Sequence, residues 1–235
     1  DVALFGAGHK TWLATFLRLP HGIPARDTFA RVFARLDPTV FEQRFLAWVR
    51  QLASASAGRL VAVDGKTIRH SFDTAAQKAA LHMVSAWCES NQTVLGQVVT
   101  DAKSNEITAI PQLLELLDLD GAVVTTDALG CQKAIADKII AGGADYILQV
   151  KGNQPHLEAE LVQLFDECRR NDPHAVAHDY VAEVDKGPGR IETRRCWMTT
   201  AVSWLPGGDA WQNLSSFVCV ESVRQIGTQV QTDRR

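Results

Sequence analysis

Two aspartates follow short apolar runs in this sequence, in a pattern that suits metal-dependent chemistry. Leu60-Val-Ala-Val leads directly into Asp64, and Ala122-Val-Val-Thr-Thr leads into Asp127. Such runs are typical of buried strands, and sites in open α/β sheets form outside the carboxyl ends of parallel strands. Two carboxylates held close together repel each other unless a divalent cation neutralises them. Hard oxygen ligands suit Mg²⁺ or Mn²⁺, so the pair predicts a site for two ions of the kind that serves phosphoryl transfer.

The order of the surrounding elements decides whether the two aspartates meet. Apolar runs predict strands at residues 60–63, 81–87, 94–100, 122–126 and 146–150, and helical periodicity predicts helices at 108–117 and 130–141. The polar residues 89–92 predict a hairpin turn between the second and third strands. The resulting order, βββαβαβ, is that of the ribonuclease H-like α/β fold, whose first and fourth strands are parallel neighbours. A strand-end aspartate alone is often a helix cap or turn residue, so the prediction depends on the pair.

The flanking segments differ in character from this core. Residues 1–57 are predicted to be helical, with Asp27 capping one helix and Asp37-Pro38 starting the next, which carries Phe41, Phe45 and Trp48 on one face. A further helix is predicted at 155–169, followed by a chain rich in Val, Thr and Trp. The predicted organisation is an N-terminal helical segment (1–57), a ribonuclease H-like core (58–170) and a C-terminal β-rich insertion unit (171–235).

Composition narrows the function classes. The net charge of −3 gives no overall attraction to nucleic acid, so DNA binding would have to come from local basic patches. The five cysteines are scattered and never spaced as C-x-x-C, which argues against a disulfide framework or a structural zinc site and predicts reduced, mostly buried thiols. No apolar run reaches the roughly 20 residues needed to cross a bilayer, and a cytoplasmic location is expected, with no membrane partner.

Six motifs together resemble one protein family. They are DGKTIR (64–69), LHMVSA (81–86), KSNEI (103–107), TDALGCQ (126–132), ADYILQVKGNQ (144–154) and GRIETR (189–194). The chain resembles the ISAs-one family of DDE insertion-sequence transposases, also called H-repeat-associated proteins, over nearly its whole length. The resemblance implies a ribonuclease H-like catalytic core, dependence on Mg²⁺ or Mn²⁺, and strand transfer by a freed 3′-hydroxyl. Its implied partners are double-stranded DNA, as transposon inverted repeats and target, and further copies of the protein on that DNA.

The sequence departs from the family at the third acid of the catalytic triad. Asp64 and Asp127 match the first two acids, but the expected late Trp-x-Ile-Glu pattern is absent. The chain is therefore expected to be a fragment whose third acid lies beyond Arg235. Glu158 and Glu192 are the alternative positions within the chain. Pro188 stands where the family is expected to carry His, so any role of that His is lost.

Basic residues supply candidate DNA contacts. The clearest local cluster consists of Lys186, Arg190, Arg194 and Arg195, which would neutralise phosphates or else form the charged face of an exposed strand. Lys66 and Lys151 each follow a predicted strand end beside the two aspartates and could reach backbone phosphates.

Two other functions compete with a complete transposase. A DNA-binding chain that cannot cut would follow from the missing third acid. A phosphatase with Asp64 as its nucleophile would also place that residue at the end of the first strand, but such enzymes carry a second aspartate two residues later, where this chain has Lys66. Trapping of an aspartyl phosphate would distinguish the phosphatase from the transposase.

Overall fold

The computed structural model describes residues 2–53, 58–68, 80–100, 106–169 and 176–234. The chain divides into two compact units, Asp1–Gln51 and Leu52–Arg235. The sequence-based boundaries at 57/58 and 170/171 involve residues outside the described ranges. The division into three parts therefore stays a prediction.

The N-terminal part is helical, as predicted. Its helices are α1 (Val2–Gly8), α2 (Lys10–Leu13), α3 (Arg26–Phe33) and α4 (Pro38–Ala53). Asp37 caps α4 as expected, because its Oδ1 accepts hydrogen bonds from the backbone N–H groups of Thr39 (2.9 Å) and Val40 (3.1 Å).

Two details of these helices differ from the prediction. Asp27 does not cap α3: Ala25 is the N-cap, and its carbonyl accepts from the N–H groups of Thr28 and Phe29, which puts Asp27 inside the first turn. There its charge still interacts favourably with the positive end of the helix. In α4, Phe41 and Trp48 are about half exposed, while Leu46 and Val49 are buried. The helix carries apolar side chains on more than one side, so periodicity alone does not identify the buried side.

A mixed five-stranded sheet forms the centre of the second unit. Its strands are β1 (Leu60–Thr67), β2 (His82–Cys88), β3 (Thr93–Thr100), β4 (Val123–Thr126) and β5 (Asp145–Leu148), in the spatial order β3-β2-β1-β4-β5. β1 and β4 are parallel, as are β4 and β5, whereas β2 is antiparallel to both of its neighbours. The predicted β2–β3 hairpin and the predicted parallel pairing of the first and fourth strands are both confirmed.

Three helices accompany this sheet: α5 (Glu106–Glu115), α6 (Lys133–Ala141) and α7 (Pro155–Arg169). α5 contacts β2, β3 and α6, and Leu113 of α5 and Ile135 and Ile139 of α6 are almost fully buried. α5 begins two residues earlier than predicted, so Pro111 lies inside the helix rather than in its first turn. Because proline has no N–H, the helix lacks the hydrogen bond from position 111 to the carbonyl four residues before it.

The C-terminal part is a four-stranded antiparallel sheet, which confirms that this region is β-rich. Its strands are β6 (Asp179–Gly187), β7 (Arg190–Thr199), β8 (Phe217–Ile226) and β9 (Gln229–Arg234), in sequential order. Trp197 and Phe217 of this sheet share one buried apolar cluster with Leu164 and Phe165 of α7. The four buried cysteines and the half-buried Cys196 are all free thiols, as predicted. Among the described helices, none is both long and apolar enough to cross a membrane.

Candidate active site on β1 and β4

Asp64 and Asp127 occupy equivalent positions on adjacent parallel strands. The last register pair between β1 and β4 is Val63 with Thr126, and each aspartate is the next residue along the chain. Val63 and Thr126 are buried, whereas both aspartates are exposed, so the two carboxylates emerge on the opposite face from this buried pair. Neighbouring strands lie about 4.8 Å apart, so the two aspartates leave the backbone at adjacent positions.

β1 does not end at Asp64, contrary to the prediction. The strand continues to Thr67 because β2 remains its antiparallel partner there, with Asp64 opposite Ser85 and Thr67 opposite His82. Pairing with β4 stops at Val63. Asp64 is therefore a residue within a strand, located where that strand loses one of its two neighbours.

Asp127 follows the last residue of β4 and begins a turn. Its Oδ1 accepts a hydrogen bond from the Leu129 N–H (3.0 Å), which caps the short 3₁₀ turn Ala128–Gly130. Gly130 closes that turn because a Cβ there would overlap the Thr126 side chain. A carboxylate has two oxygens with about four acceptor positions, so this capping bond leaves Asp127 able to bind a cation as well.

Polar residues lie at the same register position as the two aspartates on the neighbouring strands. Ser85 lies opposite Asp64, Gln97 lies opposite Ser85, and Gln149 follows β5 beside Asp127. The Gln97 Nε2 donates to the Ser85 Oγ (3.4 Å), and the Gln149 N–H donates to the Thr126 carbonyl (3.4 Å). The motifs singled out from the sequence include Ser85 and Gln149, but only strand register shows that these side chains flank the acids.

Both lysines proposed beside the acids are exposed. Lys66 lies two residues beyond Asp64 on the same strand, and alternation puts it on the same face. Lys151 lies in the loop after β5. That loop is bound to the turn after Asp127, because the Asn153 Nδ2 donates to the Ala128 carbonyl and the Gln154 Nε2 donates to the Cys131 carbonyl (3.0 Å). The described structure thus brings Lys66 and Lys151 to the same end of the sheet as the two acids.

A buried polar group lies on the other face of β1, behind Asp64. His82 and Glu106 are each 3% exposed, and the His82 Nε2 lies 2.5 Å from the Glu106 Oε1. The His82 Nδ1 is hydrogen-bonded to the Thr67 hydroxyl at 2.9 Å. Gly65 lies against the Glu106 carboxylate so closely that a Cβ at this position would overlap it. Sequence reasoning gave no role to His82 or Glu106, although both belong to the family-like motifs.

Neither alternative third acid joins the pair. Glu192 lies in the second sheet, where its carboxylate meets the guanidinium groups of Arg190 (3.5 Å), Arg194 (3.4 Å) and Arg224 (3.6 Å). Glu158 is in the first turn of α7. Within the described ranges, no group of three His, Cys, Asp or Glu side chains could hold a metal ion. Neither glutamate, therefore, completes a three-acid site with Asp64 and Asp127 there.

The predicted basic cluster is divided between two faces of the second sheet. Arg190 and Arg194 alternate with Glu192 along β7 and share its face. Lys186 and Arg195 lie on the opposite face, where the Arg195 Nη1 donates to the Glu221 Oε1 (2.8 Å). The four residues do not form one surface of a single charge sign. A DNA contact at any of them stays a prediction.

The electrostatics of this second face centre on Glu221. Burial raises the pKa of its carboxyl, but hydrogen bonds from Arg195 and Arg234 outweigh that effect and leave the pKa below its ordinary value. Glu221 is therefore ionised and paired. This pairing engages Arg195 within the sheet, which reduces its capacity to bind a phosphate.

Comparison with known families agrees with the sequence motifs. Residues 55–194 match the family described as "Transposase DDE domain", and residues 1–49 match the segment described as "DDE_Tnp_1-associated". A protein of Xanthobacter autotrophicus named "Uncharacterized protein in dhlA 3'region" is 44% identical over 100% of this chain and 78% of its own length.

Two named relatives come from Escherichia coli strain K12. "H repeat-associated putative transposase YhhI" and "H repeat-associated putative transposase YbfD" are each 42% identical over 83% of this chain. The matched part is 50% of YhhI and 76% of YbfD, so the match spans only half the length of the longer relative. The solved "piggyBac transposase synaptic complex with hairpin DNA" covers 68% of this chain and 37% of its own at 10% identity, with a TM-score of 0.35 that is too low to support an argument.

Proposed function

Because this chain belongs to the transposase DDE-domain family, we propose that Asp64 and Asp127 are two acids of a metal-dependent site that cuts and joins DNA. The observation that carries the proposal is their register: each is the first residue after the Val63–Thr126 pair on adjacent parallel strands. Both are exposed on one face of the sheet. Strand-end carboxylates in this arrangement are suited to phosphoryl transfer.

We further propose that the second unit has a ribonuclease H-like core. The strand order β3-β2-β1-β4-β5 supports this assignment, since β1 is central and only β2 runs against its neighbours. Helices α5 and α6 follow the third and fourth strands, as in the βββαβαβ order inferred from the sequence, and α7 follows the fifth strand. In such a core the first and fourth strands supply the first two acids.

The two side chains fit Mg²⁺ or Mn²⁺ by their chemistry. Both offer hard carboxylate oxygens, and the capping bond to Leu129 fixes one oxygen of Asp127. When bound, a pair of such ions activates the attacking oxygen and stabilises the leaving one. Asp64 and Asp127 would hold the ions, and the turn after Asp127 would orient that carboxylate. Among the described residues, no third carboxylate joins this pair.

DNA is the proposed partner, both as transposon ends and as target, with more than one copy of the protein acting together on the nucleoid. Lys66 and Lys151 stand on either side of the acids and would neutralise phosphates next to the cut. The polar side chains of Ser85 and Gln149 could contact the sugar-phosphate backbone at the same level of the sheet. Arg190, Arg194, Arg195 and Lys186 are weaker candidates because of their carboxylate partners or their separation on two faces.

Mn²⁺ binding to the 235-residue chain, measured by the loss of the free-ion signal in electron paramagnetic resonance, tests this proposal. Asp64→Asn and Asp127→Asn should each weaken the same site strongly, because each removes one anionic ligand. Asp145→Asn is the matched control, since Asp145 is an exposed acid at the opposite end of β5. Equal affinity in all three variants and the wild-type chain would refute a shared site.

Cleavage provides the second test. With two of three acids, the 235-residue chain should show little Mn²⁺-dependent nicking of DNA that carries the ends of its own element. Strong nicking that disappears in Glu192→Gln would contradict the structural assignment of Glu192 as an arginine partner.

A further inference from the structure

Glu106 and His82 form a buried acid–imidazole pair that the proposed chemistry does not use. Glu106 is the first residue of α5, and His82 is the first residue of β2. Each side chain is 3% exposed, and their 2.5 Å contact joins the helix to the sheet. A carboxylate only accepts hydrogen bonds, so the His82 Nε2 donates to Glu106 and the Thr67 hydroxyl can donate to the Nδ1.

This pair lies directly behind Asp64. Side chains alternate along β1, so Gly65 and Thr67 face α5 while Asp64 faces the opposite side. The Glu106 carboxylate covers Gly65, the residue next to Asp64, and His82 holds Thr67 two residues further on. The contacts therefore fall on Gly65 and Thr67, the two residues after Asp64 that lie on the α5 side of β1.

In this segment β1 pairs with a neighbouring strand on one side only. Its pairing with β4 ends at Val63, and from Asp64 to Thr67 the pairing is with β2. Beyond Val63, β1 is therefore the edge strand of the β3-β2-β1 part of the sheet, and its twist is fixed by a neighbouring strand on one side only. Contacts from α5 to Gly65 and from His82 to Thr67 restrict this twist.

Stability alone does not account for a polar pair at this place. Burying a carboxylate and an imidazole is costly unless both are hydrogen-bonded, and apolar residues of similar volume are often equally or more stabilising. Hydrogen bonds differ from apolar packing in having a fixed direction and length. We infer that Glu106, His82 and Thr67 act as a positioning group that fixes β1 beyond Val63 and thereby sets the Asp64 carboxylate against Asp127 for divalent-cation binding. The inference rests on the proposed function of the two aspartates.

The test combines Mn²⁺ affinity with thermal unfolding of the 235-residue chain. Glu106→Leu with His82→Phe replaces the pair by apolar side chains, and cooperative unfolding should be retained. Mn²⁺ affinity should nevertheless fall about 10-fold or more, the loss typical when residues that orient metal ligands are changed. Glu106→Gln keeps an acceptor oxygen for His82, so it should lose less Mn²⁺ affinity than the double variant.

Thr67→Val provides a milder variant, since Thr67 is exposed and only its hydroxyl bond to the buried His82 is lost. It should weaken Mn²⁺ binding by about 10-fold, with cooperative unfolding retained and the melting temperature lowered only by the loss of one hydrogen bond to His82. Thr232→Val, at an exposed position on β9, is its matched control and should change neither.

The outcomes separate the two claims. If Asp64→Asn and Asp127→Asn do not affect Mn²⁺ binding, the proposed function fails and the positioning role fails with it. If those variants lose binding but Thr67→Val retains wild-type affinity, only the positioning role is overturned. The positioning role is likewise overturned if a folded Glu106→Leu/His82→Phe chain binds Mn²⁺ normally.

Discussion

Substitution of Gly65 by alanine gives the sharpest stability test of the buried group. A Cβ at residue 65 would overlap the Glu106 carboxylate, which is 3% exposed and bonded to His82. The carboxylate must move, and this movement breaks or lengthens the bond to His82. A hydrogen bond to a charged group contributes about 1.5–3 kcal/mol. Replacing glycine by alanine recovers about 0.4–1 kcal/mol through the unfolded chain, so the expected net destabilisation is about 0.5–2.6 kcal/mol.

Gly152→Ala is the matched control for this substitution. Nothing lies within 4 Å of a Cβ at Gly152, and its backbone is outside the left-handed region. It should therefore show only the gain of about 0.4–1 kcal/mol. Urea unfolding followed by tryptophan fluorescence would measure both free energies. Indistinguishable values for the two variants would refute the described packing of Glu106 on Gly65.

A double-mutant cycle identifies the cause of the loss. In a Glu106→Ala background the carboxylate is absent, so Gly65→Ala should no longer be destabilising. The expected coupling between the two positions is more than about 1 kcal/mol, as for residues in direct contact. Additive effects would show that the damage at Gly65 arises elsewhere.

Four further outcomes are expected. Asp127→Ala removes the capping bond to Leu129 and should lower the free energy of unfolding by about 1 kcal/mol. Asp127→Asn keeps an acceptor and should lower it less. Equal losses for the two variants in urea unfolding would argue against the cap. Asp37→Ala should likewise lose about 1 kcal/mol, while Asp27→Ala, which removes no cap, should change stability by less than about 0.5 kcal/mol. Because the folded-state pKa of Glu221 lies below its ordinary value of 4.5, its pairing stabilises the fold above that pH and is lost as pH falls through the lower folded value. The stability difference between the wild-type chain and Glu221→Gln should therefore shrink on acidification below about pH 4.5, and a constant difference would contradict the pairing. Burial raises the pKa of the Cys131 thiol to about 11. At pH 8, Cys131 should therefore react with iodoacetamide far more slowly than the half-buried Cys196, as measured by peptide mass spectrometry. Equal rates for the two cysteines would contradict the burial of Cys131.

Local patterns predicted much of the fold. Apolar runs located the strands, and the hairpin and the parallel pairing of β1 with β4 agree with the structure. Asp37-Pro38 correctly predicted the start of α4. Both signals, a capping aspartate and a proline at the first helical position, depend only on residues close in sequence. The extension of β1 to Thr67 was missed because β2, about 20 residues away, supplies the partner. Gly65 and Lys66 are poor strand formers in isolation.

The residues behind the acids were less accessible to prediction. Glu106 and His82 are 24 residues apart, and their contact depends on where α5 lands on the sheet. Their burial also contradicts the usual exposure of glutamate, so composition gives no signal. The division of the basic cluster is different, because alternation along β7 separates Arg194 from Arg195 and could have been inferred from the strand assignment.

Iron-directed cleavage of the 235-residue chain tests most directly whether Asp64 and Asp127 share a cation. Fe²⁺ would replace Mg²⁺ at carboxylate oxygens, and ascorbate with peroxide would then generate radicals that cut the nearest backbone. Cuts mapped by mass spectrometry should appear together near residues 64 and 127, and both sets should disappear in Asp64→Asn and in Asp127→Asn. Cuts at one of these segments alone, or cuts that survive either substitution, would contradict a shared ion.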